Sequence, residues 1–296
     1  MSGPPTFALP CSFLATPRRE PATFTVAGIP FDAGTTNRAG ARDGPHAIRR
    51  ASRMLVDGAH PTAWIDPARL DLADIGDLPV ALGDIPATLA AIERAAAPIP
   101  HLIALGGEHG VTLGLLRALA RRTGPLALVQ IDAHVDTWPD GFGQAFSHGS
   151  VFYHAIAERL VDPRRMVQLG IRSPVPREVW DWTLAQGVTV LTAPEMHDSS
   201  PAAVAALVRE VVGDAPVYLS FDIDALDPAF APGTGTPEVG GLASWQAQAI
   251  LRNLQGLAWA GMDVVEVAPA YDVAEITALA AATMAWEYLA LIAAAA

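Results

Sequence analysis

The stretch Leu126-Ala127-Leu128-Val129-Gln130-Ile131-Asp132-Ala133-His134-Val135-Asp136 passes without a break from an apolar run into three ionisable side chains. A short apolar run that does not alternate with polar residues suits a strand covered on both faces by helices; a half-exposed strand would alternate. Runs of the same kind recur at residues 24–29, 102–105, 166–171, 188–191, 217–221 and 262–267. Helical patterns such as residues 111–122, 244–254 and 274–293 fill the gaps between them. Strands alternating with helices indicate parallel strands joined by crossover helices, hence an α/β fold with one doubly wound sheet. No internal repeat, low-complexity tract beyond alanine enrichment, or long linker divides the chain. The expected organisation is a proline-rich arm at residues 1–22 and one catalytic domain over residues 23–296.

In open parallel sheets ligands bind beyond the carboxyl ends of the strands, so the residues that follow each apolar run carry the chemistry. Residues 126–131 lead into Asp132, His134 and Asp136, and residues 217–221 lead into Asp222-Ile223-Asp224. In each set the ionisable residues alternate by two, which points them to one side wherever the chain stays extended. Residues 102–105 lead into Gly106-Gly107-Glu108-His109, and Glu266 lies near the end of the run at 262–267. Aspartates gathered in this way repel one another unless a cation lies between them. Four carboxylates, from Asp132, Asp136, Asp222 and Asp224, balance two divalent ions, and His109 and His134 add neutral nitrogens. Oxygen-rich ligation with some imidazole and no thiolate favours Mn²⁺ over a structural zinc, while the order of affinities by itself leaves zinc and nickel open. Water held by such a pair loses a proton near neutral pH and becomes a strong nucleophile.

Each motif also has a plainer reading. An isolated Asp-x-Asp after a strand is usually a turn or a helix cap, and His109 after two glycines could simply close a strand. Their shared position after strands tells against this. His148, in Ser147-His148-Gly149-Ser150, opens the next helical segment and could be a cap-region residue. Glu266 is costly to bury inside an apolar run unless it is paired. Asp227, before Pro228, reads as a turn residue. His46, His60, His101, His154 and His197 show no ligand spacing and read as surface or capping residues. Residues 232–236 form a loop that lacks the spacing of a phosphate cradle. Trp138, close behind Asp136, is the tryptophan placed nearest the site.

The bulk properties narrow the function classes. A chain of 296 residues of this type buries about 75% of the surface that it exposes when unfolded, and so needs no disulfide staple. The lone Cys11 excludes an internal disulfide and a thiolate metal site, which fits a reducing cytoplasm. The formal charge of −12 argues against nucleic acid. The first residues lack the basic start and apolar run of a secretory signal. The alanine-rich stretch at residues 276–296 is interrupted by Glu287 and reads as a packed helix, not a membrane span.

Gly-Gly-Glu-His at 106–109, Asp-Ala-His-Val-Asp at 132–136 and Ser-Phe-Asp-Ile-Asp-Ala-Leu-Asp-Pro at 220–228 together resemble the ureohydrolases, the family of arginase and agmatinase. The likeness extends to Gly28-Ile29-Pro30-Phe31-Asp32, to Arg42-Asp43-Gly44-Pro45 with Ile48-Arg49, and to residues 261–283. Residues 261–272 are most similar to the agmatinase branch. The resemblance implies a three-layer α/β/α fold with a mostly parallel eight-stranded sheet and two Mn²⁺ per subunit. Asp132 and Asp222 would touch both ions, His109 and Asp136 would complete one site, and His134 and Asp224 the other, with a bridging water aimed at the guanidinium carbon. Glu266 matches the residue that anchors the guanidinium, and His148 the one that carries protons to the leaving amine. The products would be urea and an amine. A trimer or hexamer is also implied.

Glu108, Gly110, Ser150 and Ala225 depart from residues common in relatives, without removing a ligand. Asn and Ser, which read the amino-acid end of arginine in arginases, are missing from Thr137-Trp138-Pro139-Asp140-Gly141-Phe142-Gly143, and Val267-Ala268-Pro269 replaces the arginase-type sequence. Agmatine is therefore the expected substrate. A guanidino acid such as 4-guanidinobutyrate or 3-guanidinopropionate is the alternative, with Arg38 as the residue to receive its carboxylate. Deacetylases share the fold but resemble a single-zinc site. A catalytically silent metal-binding subunit is the reading outside enzymes, and an intact ligand set with His148 and Glu266 argues against it.

Overall fold

Eight strands and nine α-helices alternate among residues 5–295, the part of the chain that the computed structural model describes. In chain order they are β1 (Phe24–Gly28), α1 (Gly44–Ser52), β2 (Leu72–Asp77), α2 (Ile85–Ala96), β3 (His101–Leu105), α3 (Val111–Thr123), β4 (Leu126–Ile131) and α4 (Val151–Ala157). There follow β5 (Val161–Ile171), α5 (Arg177–Gln186), β6 (Thr189–Thr192), α6 (Ala193–His197), α7 (Pro201–Val212), β7 (Val217–Asp222), α8 (Ser244–Arg252), β8 (Trp259–Val265) and α9 (Ile276–Ala295). The strands form one sheet in the order β2-β1-β3-β8-β7-β4-β5-β6, and every neighbouring pair is parallel. Apolar clusters on the two faces, one around α1, α7, α8 and α9 and the other around α2, α3 and α4, make three layers. This explains the continuous apolar runs, because both faces of β4 and β7 are buried.

Each of the seven expected strands is present, with ends shifted by a few residues. The eighth, β2, was not expected. Its sequence Leu72-Ala73-Asp74-Ile75-Gly76-Asp77 carries two aspartates, and their partner lies elsewhere in the chain. Arg49 of α1 donates to Asp74 from Nε at 2.7 Å and to Asp77 from Nη1 at 2.6 Å, so an edge strand holds buried charge without an apolar signature. The same aspartate ties down the chain before β1. Phe13 and Leu14 are buried, Phe13 N–H donates to Asp74 Oδ2 at 2.8 Å, and Leu14 N–H donates to Ser52 Oγ at 2.8 Å.

The C-terminal helix is long and apolar enough to cross a membrane over Ile276–Ala294, yet 72% of that span is buried within the fold. Glu287, 1% exposed, receives Arg252 Nε at 3.0 Å and faces His60 Nε2 at 2.9 Å. His60 is thus a core residue, stacked on Trp286 at 4.7 Å between ring centroids, and not the surface or capping histidine that its isolation in sequence suggests. A carboxylate from another element recruits it.

Candidate metal centre

The four central strands stand side by side as β3-β8-β7-β4, and each delivers a candidate residue from its carboxyl end. After β3 the chain turns through Gly106-Gly107 to place His109 just before α3. A Cβ on Gly107 would lie 2.1 Å from the Phe31 carbonyl oxygen, so only glycine permits the turn. After β4, Asp132 Oδ1 accepts the His134 amide at 2.7 Å and the chain leaves the sheet, with Asp136 at φ 49°. After β7, Asp222 Oδ1 accepts the Asp224 amide at 2.9 Å and starts a 3₁₀ turn at Ile223–Ala225. Glu266 follows β8 at φ 64°, its amide donating to Gly107 O at 2.9 Å. The residues spaced by two do gather, but tight turns gather them. The expected extended alternation ends with the strands, because each leading aspartate folds the next amides onto its own carboxylate.

His109 Nδ1 lies 2.9 Å from Asp136 Oδ2 and 3.2 Å from both Asp132 Oδ2 and Asp222 Oδ2. His134 Nδ1 lies 3.0 Å from Asp224 Oδ2 and 3.5 Å from Asp132 Oδ1. Two ligand groups result, His109-Asp132-Asp222 and Asp132-His134-Asp224, each with its donor atoms within 4.8 Å of one another. Asp132 belongs to both through its two oxygens. Asp222 joins the first group, and its other oxygen holds the Asp224 amide.

The tautomer of His109 shows what the cluster fits. Ser220 Oγ donates to Asp263 Oδ1 at 2.7 Å and stands 2.8 Å from His109 Nε2, so Nε2 is the donor of that pair. In the neutral, metal-binding form of the ring Nδ1 is then left with a lone pair; it is fully buried and has no hydrogen-bond partner despite three carboxylate oxygens around it. Lone pairs facing lone pairs repel, and cations among them reverse the sign. Burial and the neighbouring Asp224 and Asp132 push the Asp222 carboxyl well above its usual range. Burial and Asp132 lift Asp136 to about 6. Burial would lower His134, but Asp224 and Asp132 outweigh it and hold the imidazole up at about 12. The donor set of carboxylate and imidazole suits a pair of divalent ions.

A buried polar row runs across the sheet beneath these residues. Gln168 of β5 is in register with Gln130 of β4, Gln130 with Ser220 of β7, and Ser220 with Asp263 of β8. Gln168 Nε2 donates to Gln130 Oε1 at 2.7 Å, and Gln130 Nε2 donates to Asp132 Oδ2 at 2.8 Å and to His134 O at 3.0 Å. Asp263 also accepts from Thr112 Oγ1 at 2.7 Å and Tyr218 Oη at 2.9 Å. Sequence reading missed this row. The signal was present as a polar residue two positions before each leading aspartate, Gln130 before Asp132 and Ser220 before Asp222.

His148 opens a short turn whose start is capped by reciprocal Ser147 and Ser150 bonds. Its Nδ1 lies 3.1 Å from Glu266 Oε1, which also accepts the His109 amide at 2.8 Å. Burial would lower His148, but Glu266, then Asp136 and Glu108, raise it to about 9. Its Nε2 is 2.7 Å from Thr36 Oγ1, another residue missed in sequence. That hydroxyl can accept from an imidazolium or donate to a neutral ring, while the Thr36 amide, donating to Nε2 at 3.3 Å, fits the neutral ring with its proton on Nδ1. Glu266 is 1% exposed, and its Oε2 is buried without a donor. Gly235 leaves that oxygen uncovered, since a Cβ there would lie 3.3 Å from it. Burial raises Glu108, behind this pair, to about 7.

A pocket of about 590 Å³ opens onto the cluster, lined among others by His134, Asp136, His148, Trp138, Arg38 and Glu238. Thr236 of the 232–236 loop also lines it, and Trp138 stands where its sequence position suggested. Asp227 is a turn residue, accepting the amides of Ala229 at 2.9 Å and Gly240 at 2.7 Å.

The sequence profile described as the arginase family matches residues 22–290. The chain belongs to the arginase family. Among curated members of that family it is 47% identical over 287 residues to an agmatinase of Cronobacter sakazakii, spanning 95% of this chain and 90% of that one. An agmatinase of Photorhabdus laumondii is 47% identical over 279 residues, 92% of this chain and 88% of that one. Among solved arginase-family structures, the proclavaminate amidino hydrolase of Streptomyces clavuligerus superposes with a TM-score of 0.94 at 39% identity, covering 99% of this chain and 100% of that one. A hypothetical agmatinase from Burkholderia thailandensis gives 0.91 at 42% identity, covering 98% and 92%.

Proposed function

We propose that this arginase-family enzyme hydrolyses agmatine to putrescine and urea with two Mn²⁺ ions, held by His109, Asp132, His134, Asp136, Asp222 and Asp224. Curated agmatinases at 47% identity over nearly the whole chain support the reaction. The donor set, rich in carboxylate and free of thiolate, supports manganese. A bound ion pair supplies water acidified to near neutral pH.

The observation that carries the reading is Glu266 Oε2, a buried carboxylate oxygen without a donor beside His148 and the ligand cluster. A planar guanidinium offers the N–H groups that such an oxygen lacks. The His109 amide and the His148 ring both hold Oε1, which leaves Oε2 for substrate. The departing nitrogen would be a very poor leaving group as an anion, so it needs a proton as it leaves. His148 is placed to supply one, its Nδ1 facing Glu266 and its Nε2 held by the hydroxyl and amide of Thr36.

On this reading residues 23–296 are the catalytic domain, residues 1–22 an arm that is anchored at Phe13 and Leu14 and whose residues 1–4 lie outside the described residues, and the enzyme a cytoplasmic homo-oligomer acting on a small guanidino compound. Arg38, exposed on the pocket wall, favours a guanidino acid as the second reading. The test is urea release by Mn²⁺-loaded protein from agmatine, 4-guanidinobutyrate, 3-guanidinopropionate and arginine. Highest kcat/KM for agmatine is expected. Preference for a guanidino acid would transfer the assignment, and metal binding without urea from any substrate would identify a silent subunit.

A further inference from the structure

The pocket is acidic at two depths. The ligand carboxylates lie at its floor, with side chains of Asp136, Asp222 and Asp224 that are 8%, 3% and 1% exposed. Farther out stand Asp140 and Glu238. Asp140 has a local role, since its Oδ1 accepts the Gly143 amide at 2.9 Å and shapes its own loop. Glu238 differs. Its side chain is 31% exposed, and Oε1 accepts Ser173 Oγ at 2.9 Å and lies 3.9 Å from His134 Nε2. Oε2 accepts no hydrogen bond among the described residues, and no arginine pairs with the carboxylate there.

The backbone beneath Glu238 is fixed to the floor of the site. Arg172 Nη2 donates to Glu238 O at 2.6 Å and to Asp224 O at 2.7 Å, and Nη1 reaches Gly170 O and Ala225 O at 3.2 Å each. Gly241 makes room for that guanidinium, because a Cβ there would lie 2.5 Å from Nη2. One side chain thus sets the separation between Asp224 and the Glu238 loop. A carboxylate placed so firmly on a pocket wall, half-buried and short of one donor, is paired best by a cation arriving from solvent.

We propose that Glu238 receives a second positive charge on the substrate, distal to the guanidinium, and so selects guanidino compounds whose tail ends in an ammonium. This rests on the ureohydrolase reading above. Arg38 is the rival, since it would favour an anionic tail. Its guanidinium is exposed and lies over the Tyr271 ring, 5.1 Å from the centroid, where aromatic face and water already share its charge.

The test compares kcat/KM of Mn²⁺-loaded wild type and Glu238→Gln on agmatine, on 1-butylguanidine, which has no amine, and on 4-guanidinobutyrate. Metal content is measured in parallel. Loss of one charge-assisted contact, discounted for partial exposure, predicts a fall of roughly 5- to 50-fold in the agmatine-to-butylguanidine ratio. The fall should come mainly through KM for agmatine, with metal content unchanged. An unchanged ratio overturns the proposal. Equal losses on both substrates with less bound metal also overturn it, because Glu238 would then act by supporting His134. Wild-type preference for 4-guanidinobutyrate, abolished by Arg38→Gln, assigns tail recognition to Arg38 instead. If wild type releases urea from none of the three, the ureohydrolase reading itself falls and this inference with it.

Discussion

Replacing Ser220 with alanine should weaken metal binding through a ligand that Ser220 supports from behind. The Ser220 hydroxyl accepts from His109 Nε2 and donates to Asp263 Oδ1, and all three residues are fully buried. Truncation orphans one donor and one acceptor, each costing about 1–3 kcal/mol where water cannot enter. Asp263 keeps Thr112 and Tyr218 on its other oxygen, so its share falls at the lower end. The sum is about 2–4 kcal/mol, divided between fold stability and ligation. The ligation share follows from the tautomer, because without Ser220 nothing reserves the His109 proton for Nε2 and keeps Nδ1 free. Loss of such a supporting bond typically weakens metal affinity about 10–100-fold. Chelator competition on Ser220→Ala should show one ion weakened to that degree, the other less, and Ser220→Thr should restore most of it. Two ions retained at wild-type affinity in Ser220→Ala would refute the tautomer argument.

His148→Ala should lower turnover on agmatine roughly 10²–10⁴-fold, measured as initial rates of urea formation with metal content checked. The His148 imidazole, raised to about 9 in the fold with Glu266 overcoming burial, lies above its unfolded value near 6.5. Its contribution to stability is therefore complete below about pH 6.5 and lost as pH rises through about 9. Denaturant melts of metal-free protein should lose stability across that window, and Glu266→Gln should flatten the loss. Arg172→Met removes a clamp on several carbonyl groups; it should cost about 2–4 kcal/mol in thermal or denaturant melts and lower metal affinity, and wild-type values for both would speak against the clamp. Glu287→Ala leaves Arg252 and His60 without their buried partner, so a loss of about 3–5 kcal/mol is expected with agmatine KM unchanged; a shifted KM would show that this distant cluster communicates with the pocket.

The sheet was legible because burial on both faces leaves an uninterrupted apolar signature, as residues 126–131 and 217–221 show. β2 was not, since Asp74 and Asp77 are made tolerable by Arg49, and nothing local to the strand reveals that partner. The ligand candidates could be read because each follows an apolar run and all but His109 stand two residues from another ionisable group. The reason they meet was not readable, because carboxylate-capped turns, not extended chain, bring Asp222 and Asp224 together. The supporting residues were hidden for a related reason. Gln130, Ser220, Gln168 and Asp263 look like defects in apolar strands until register aligns them. Arg172 and Glu238 come from loops whose meeting depends on the whole topology, and a linear pattern does not encode it.

The order of the strands has a consequence for assembly. β3 and β4 are joined by a single helix, yet β8 and β7 lie between them in the finished sheet. Until that late β7-α8-β8 unit arrives, the chain is two wings around a missing keystone, with the inner edges of β3 and β4 bare. Bare edges invite pairing with other molecules, and closing the gap depends on contacts far apart in sequence, which form slowly. Chains that stop before residue 217 should accumulate as aggregates, and hydrogen exchange in the intact protein should find its last-opening amides where the keystone meets both wings.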